Sequence, residues 1–255
     1  MITSRKIVER RNQIVEIINQ NGMLRIADAI KLFKVSDETI RKDFAYLEEH
    51  GILKKVHGGA IANESDIISP VSIRKTENYD LKLKLATKAI ELFNLKDNII
   101  GLDIGSTITV LASLYAKMSD NIFITNSFPA TQELISSKNT LICTGGEYHP
   151  HDMCFRGELA KNALQTFAMD VCFLGSSGVL HRDGICTTSF FDIDIKKELI
   201  LRSRKSVVLL DHSKFEKSSL VQVADWSEID LVITDDNIPN DNKSTISNFT
   251  ELIII

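Results

Sequence analysis

Five short runs of small, hydroxylated and acidic residues each follow an apolar stretch in the later part of this 255-residue chain. They are Asp103-Ile104-Gly105-Ser106-Thr107, Thr125-Asn126-Ser127, Gly145-Gly146, Gly175-Ser176-Ser177-Gly178 and Asp211-His212-Ser213-Lys214. Glycines leave backbone N–H groups uncovered, hydroxyls donate hydrogen bonds, and a helix opening directly behind such a run adds positive potential. That chemistry suits a phosphate or another small anion, with Lys214 as the full positive charge. Taken singly, each run is ordinary turn and cap chemistry; five of them converging on one sheet edge point to a site. Asp103 and Asp211 have a second reading, as carboxylates that order the loops and meet ligand hydroxyls only indirectly.

A different constellation lies near the N-terminus, in SDETIRKDFAYLEEHGILKKVHG (36–58). Ile40, Phe44 and Leu47 fall at i, i+4 and i+7, on one helical face. Thr39, Lys42 and Tyr46 fall opposite, with Arg41 at the flank. Ser36 carries an N-cap hydroxyl, Asp37 and Glu38 suit the positive first turn, and Gly51 ends the helix. Leu53 to Val56 then take Lys54 and Lys55 into His57. This is the layout of a winged helix-turn-helix, with a recognition helix for the major groove and a wing for phosphate. Ser36, Thr39, Arg41, Lys42 and Tyr46 are expected to face the groove of a double-stranded DNA operator, with Lys54, Lys55 and His57 as wing contacts. Arg10 and Arg11 are expected to be solvated, or to touch backbone at most.

The elements that position these residues follow from pattern. A first helix is expected over about Ser4–Gln20, with Ile7, Ile14, Ile17 and Ile18 inward, and a second over Ile26–Phe33. Beyond Ile61 the apolar period lapses and Pro70 breaks any helix, which marks a linker. After an amphipathic helix (81–95), apolar runs at 98–103, 121–125, 140–144, 170–174, 206–211, 229–234 and 252–255 alternate with helical segments at 107–117, 129–137, 157–167 and 192–204. Continuous rather than alternating apolar runs imply strands covered on both faces, hence an α/β domain with a mainly parallel sheet. Three parts are expected: a winged helix-turn-helix DNA-binding domain (1–60), a linker (61–80) and an effector-binding domain (81–255).

Charge follows the same division. Residues 1–60 hold 11 Lys and Arg against 8 Asp and Glu, or +3, so the remainder carries −7 of the net −4. A basic head on an acidic body suits a nucleic-acid reader with a separate sensor. No apolar run approaches the roughly 18 residues of a membrane span, and the N-terminus has no apolar signal core, so a cytoplasmic protein without a membrane partner is expected. Cys143, Cys154, Cys172 and Cys186 form no CxxC pair and read as reduced thiols. His149, His151 and Cys154 would be the nearest thing to a metal set, but ligands without a second organised cluster do not make a site. Neither a metal nor a cofactor is expected.

These motifs together resemble the DeoR family of bacterial transcription regulators, from residue 5 to residue 236. The head carries the resemblance in VSDETIRKDFAYLEEHGILKKVHGGAI (35–61). The body carries it in LDIGST (102–107), ITNS (124–127), TGGEYHP (144–150), FRGELA (155–160), FLGSSG (173–178) and LLDHSKF (209–215). The resemblance implies a body folded like ribose-5-phosphate isomerase, a phosphorylated sugar or related metabolite as effector, and repression of sugar-use operons. The chain departs from the family's pattern at three places. Ser177 stands where an acid is usual, which argues against proton-transfer chemistry; Arg25 stands where a Ser or Thr caps the second helix; and Phe190-Phe191 replace acids.

No catalytic residues are expected. Two enzymatic alternatives remain at this point. The first is a sugar-phosphate isomerase, for which Lys214 and Asp211 are the nearest acid/base groups. The second is a sugar kinase, because IGLDIGSTIT resembles a phosphate loop; that loop joins two strands in kinases, whereas TITVLASLYAK reads as a helix. Half-site recognition by helix-turn-helix readers implies a homo-oligomer, a dimer or tetramer.

Overall fold

The structure, a computed structural model, describes residues 2–49, 52–62, 74–93, 96–150, 152–189 and 191–255. Gly51, most of the linker with Pro70, His151 and Phe190 lie outside the described residues.

Three helices and a hairpin form the head. They are α1 (Ile2–Asn21), α2 (Ile26–Phe33), α3 (Asp37–Glu49), β2 (Leu53–Val56) and β3 (Gly59–Ala62), joined by a short strand β1 (Met23–Arg25) not expected from the sequence. β3 lies between β1 and β2, antiparallel to both. Ile40, Phe44 and Leu47 turn inward together against Ile14, Ile18, Leu24 and Leu53. Burying each such side chain contributes about 1.5–3 kcal/mol. The unusual Arg25 precedes α2 without a side-chain cap. A backbone group takes over, because the Ile26 amide donates to the Gly58 carbonyl at 2.9 Å. That bond fixes the wing turn to the start of α2.

The body is built on a seven-stranded sheet in the order β14-β13-β11-β9-β4-β5-β6, with every pairing parallel. Its strands are β4 (Ile99–Leu102), β5 (Ser119–Thr125), β6 (Lys138–Cys143), β9 (Val171–Leu174), β11 (Ser206–Leu209), β13 (Leu231–Thr234) and β14 (Glu251–Ile254). All seven expected strands are present. Helices α4 (Tyr79–Leu92), α5 (Ser106–Tyr115) and α6 (Phe128–Leu134) pack on one face, around Leu85, Ala89, Ile108, Leu111 and Phe123. α7 (Glu158–Gln165), α8 (Phe191–Leu201) and α9 (Asn240–Ser247) cover the other, around Leu164, Leu199, Val208 and Ile246. With helices on both faces, β9, β11 and β13 are buried at every position.

Two antiparallel ribbons sit on this frame: β7 (Glu147–His149) with β8 (Cys154–Arg156), and β10 (Gly184–Thr187) with β12 (Val221–Asp225). From β4 the chain winds outward through β5 and β6, then returns to the opposite side of β4 with β9. The strand order therefore reverses between β4 and β9. Such a switch point opens a crevice at the carboxyl ends of the strands. Head and body also meet: Leu220, just before β12 and 2 % exposed, belongs to the apolar core of the head, and Val221 packs against it.

Candidate nucleic-acid interface and ligand pocket

On α3, Arg41 and Lys42 keep 63 % and 74 % of their side-chain surface exposed. Each is tied along the helix to an acid one turn earlier, Arg41 to Asp37 at 2.6 Å and Lys42 to Glu38 at 2.8 Å. Those pairs are solvated and give way to a stronger anion such as phosphate. The Ser36 hydroxyl caps the helix by accepting the Thr39 amide at 3.2 Å, and lies 2.8 Å from the Thr39 hydroxyl. Lys54 and His57 are exposed on the wing. Lys55 is held to Glu48 of α3 at 2.8 Å, a tie that sets the wing's angle to the helix.

Three head residues differ from expectation. Arg10 and Arg11 are mostly buried: they bracket the buried Asp43 carboxylate at 2.6 and 2.9 Å, with 14 % and 18 % of their side chains exposed. Tyr46 is half-buried, its ring covered by the Arg11 guanidinium at 3.6 Å from the centroid. Arg11 thus bridges α1 to α3 by an ion pair and a cation–π contact at once.

The crevice in the body is a small cleft, partly open to solvent, at the β4–β9 switch point. Ile104, Gly105, Ser106, Thr107 and Ile108 contribute the entry to α5; Gly175, Ser176 and Ser177 follow β9; Leu209 and Lys214 come from the end of β11 and its short 3-10 helix (His212–Lys214). Gly105 has φ +129, a conformation other residues rarely adopt, and this lets β4 turn straight into α5. The first-turn amides of α5 therefore face the cleft without intrahelical acceptors. Burial lowers the Lys214 ammonium to about 8, opposed by the nearby Asp211. An anion beside it would restore the charged form.

Four charged residues at the cleft were not foreseen: Arg74, Asp152, Asp192 and Lys196. Lys196 forms a buried ion pair with Asp103 and donates to the Gly175 carbonyl at 2.9 Å; the same Asp103 oxygen accepts the Gly175 amide at 3.1 Å. Asp103 thus lies beneath the cleft and ties the β4 loop to the β9 loop, the loop-ordering reading. Asp211 likewise accepts the Ser213 amide at 3.1 Å. Arg74 is placed by Lys82, whose ammonium donates to the carbonyls of Arg74 and Glu77. Burial lowers the Arg74 and Lys82 pKa values from their ordinary ranges. Burial, and then the neighbouring Asp152, push Asp192 up to about 7. The N-terminal turn of α8 opposes this by about 0.3–1 kcal/mol in favour of the anion, less than burial removes.

The loops after β5 and β6 do not line the cleft. Thr125 donates to the Leu102 carbonyl at 2.8 Å, Ser127 caps α6 through the Ala130 amide, and Asn126 pairs with the Phe155 backbone. Gly145 and Gly146 lie in a turn, where a Cβ on Gly146 would meet the Arg156 carbonyl oxygen at 2.6 Å. Gly178 lies beside the cleft, pressed on Lys217, whose carbonyl oxygen would be 2.3 Å from a Cβ. Among these residues the Asn126 Oδ1 atom is buried without a hydrogen-bond partner among the described residues. His149 approaches Asp152 at 3.2 Å, and Cys154 is buried. Burial also raises the Cys172 and Cys186 thiols to about 12, where they stay protonated.

A winged helix-turn-helix joined to an α/β body with a polar cleft defines a ligand-responsive transcription regulator. Comparison with known proteins agrees: residues 10–66 match the DeoR-like helix-turn-helix domain and residues 77–236 the DeoR C-terminal sensor domain. The chain belongs to the DeoR family. It is 32 % identical to a putative aga operon transcriptional repressor of Escherichia coli O157:H7, over 92 % of this chain and 88 % of that one. It is 31 % identical to the transcriptional regulator GolR of Listeria innocua, over 95 % of each. Among solved structures, the sorbitol operon regulator SorC of Klebsiella pneumoniae aligns at 11 % identity and a TM-score of 0.40, over 94 % and 98 % of the two chains. Ribose 5-phosphate isomerase A of Neisseria gonorrhoeae aligns at 20 % and 0.37, over 53 % and 52 %. No described helix is long and apolar enough to cross a membrane.

Proposed function

We propose that this regulator represses genes of sugar use from the cytoplasm, as a dimer or tetramer, and that a phosphorylated sugar or related metabolite held in the cleft controls it. The observation that carries the reading is the meeting of the α5 first turn with Lys214 and Arg74 at the switch point. Two cations and the amides of a helix N-terminus suit a small anion such as phosphate. Names of relatives point the same way, among them an L-fucose operon activator of Haemophilus influenzae and a glycerol-3-phosphate regulon repressor of Escherichia coli K12. In the head, Arg41 and Lys42 read or position the operator, and Lys54, Lys55 and His57 meet phosphate.

Control requires a ligand that favours one arrangement of head and body. One segment runs from the cleft towards the head, from Lys214 to Leu220; it is pinned by amides of Val179 and Leu180 donating to the Lys214 and Lys217 carbonyls at 2.8 and 3.0 Å, and by Arg182 donating to the Ser219 carbonyl at 3.1 Å. A ligand that draws Lys214 inward therefore pulls on a segment whose far end sits in the head's core. Thermal-shift screening against phosphorylated sugars tests the reading, since a ligand at 100 times its Kd stabilises by about 2.7 kcal/mol. Lys214→Ala should abolish that shift. A compound that protects the variant equally would place the ligand elsewhere.

A further inference from the structure

The cleft has an acidic end as well as a basic one. Asp192, in the first turn of α8, is 4 % exposed and lines the cleft together with Asp152, from the turn between β7 and β8. Its Oδ2 accepts the Thr187 hydroxyl at 3.0 Å, whereas Oδ1 makes no hydrogen bond among the described residues. Among the described residues, the charged and titratable groups near it are Asp152, Asp103, Lys196, Arg74 and Cys154, with Arg156 lying over the adjacent Phe191 ring. Asp152 lies against Arg74 at 4.0 Å and His149 at 3.2 Å. Lys196, one turn further along α8, is committed to Asp103, and the buried Cys154 thiol is neutral. Asp192 therefore faces a second carboxylate, and the two cations that reach it, Lys196 and Arg74, each lie against another acid, Asp103 and Asp152. Two carboxylates in a desolvated cleft do not both carry full charge.

We propose that Asp192 is the specificity-determining residue of this cleft: it binds the effector as the uncharged acid, donating from its free oxygen to a ligand oxygen. The effector then carries an anion at one end and a hydroxyl or carbonyl oxygen, not an amine, at the other. The inference rests on the reading of the cleft as an anion site. An arriving phosphate expels water and adds negative charge, both of which favour the neutral acid. A ligand ammonium would do the reverse and draw out the carboxylate. Binding consequently takes up a proton at Asp192 from solvent. Since the free acid titrates near 7, affinity is level below that pH and falls as pH rises above it, by up to about tenfold per unit. Lys214 adds a fall of the same sign, starting from about 8.

Calorimetry on the full chain tests this, with inorganic phosphate and a panel of hexose 6-phosphates and hexosamine 6-phosphates. The best hexose phosphate should lose roughly tenfold in affinity between pH 6 and pH 8 beyond any loss shown by inorganic phosphate. Asp192→Asn, permanently neutral, should keep the pH 6 affinity within a few-fold and lack the extra pH dependence. Titration of the unmodified protein in buffers of different ionisation heat should show net proton uptake near pH 7.5, a readout that needs no variant. Proton release, preference for a hexosamine phosphate, or equal loss of binding in Asp192→Asn at both pH values would overturn the proposal. If no phosphate binds at any pH, the anion site itself is wrong and this inference falls with it.

Discussion

Replacing Asp43 with alanine should unfold the head while leaving the body intact. Asp43 is 1 % exposed and receives one charge-assisted hydrogen bond from each of Arg10 and Arg11. Bonds to charged groups contribute about 1.5–3 kcal/mol each, and removing one partner of a fully buried ion pair costs about 3–5 kcal/mol. Because the two arginines keep some solvent contact, their charges can partly rehydrate, so the expected loss is about 2–4 kcal/mol. A domain of this size has only about 3–5 kcal/mol in hand. Hydrogen exchange of the full-length variant should therefore show near-complete loss of protection in α1 and α3, with protection in the central strands of the body unchanged. Operator binding should disappear, and the thermal shift given by the effector should persist. Head amides protected as in the parent, with operator affinity within twofold, would refute the view that Asp43 joins α1 to the recognition helix.

Leu220→Ala removes a side chain that the body lends to the head's core and should cost about 2–3 kcal/mol, the low end for buried leucine truncation. Its diagnostic effect is weaker coupling: effector affinity unchanged by calorimetry, but a smaller effector response in operator anisotropy. Lys82→Met frees the carbonyls that hold the turn carrying Arg74 and should weaken inorganic phosphate binding roughly tenfold, or about 1.4 kcal/mol; unchanged binding would show that Arg74 is placed by other contacts. Lys42→Ala should weaken operator binding by about 1–3 kcal/mol if it contacts a base, and an unaltered anisotropy titration would discard that role.

The seven strands of the sheet were legible because burial on both faces leaves continuous apolar runs such as Val171–Leu174 and Ser206–Leu209. The recognition helix was legible from the spacing of Ile40, Phe44 and Leu47. The two antiparallel ribbons were not, since three- and four-residue strands such as Glu147–His149 leave too short a pattern. Position behind a strand marks Thr125, Asn126 and Ser127 as ligand candidates, yet their side chains bond the Leu102 carbonyl, the Phe155 carbonyl and the Ala130 amide. Arg74, Asp152, Asp192 and Lys196 reach the cleft from the linker, a hairpin turn and a helix, where position behind a strand gives no signal. One signal was present for two of them. Asp192, Ile195, Lys196 and Leu199 fall at i, i+3, i+4 and i+7, so two charges occupy the buried stripe of α8. Arg10 and Arg11 gave no such warning, because two adjacent arginines on a helix resemble a solvated face until Asp43 is placed opposite them.

Fluorescence anisotropy of a labelled operator duplex with the full chain, titrated with salt and then with the sugar phosphate that scores best by thermal shift, tests the division of labour most directly. Affinity should fall steeply with salt, as expected when several lysines and arginines neutralise phosphates. The sugar phosphate should then change affinity for the unmodified chain and leave Lys214→Ala unmoved. Salt-insensitive binding, or an equal response from Lys214→Ala, would contradict the account.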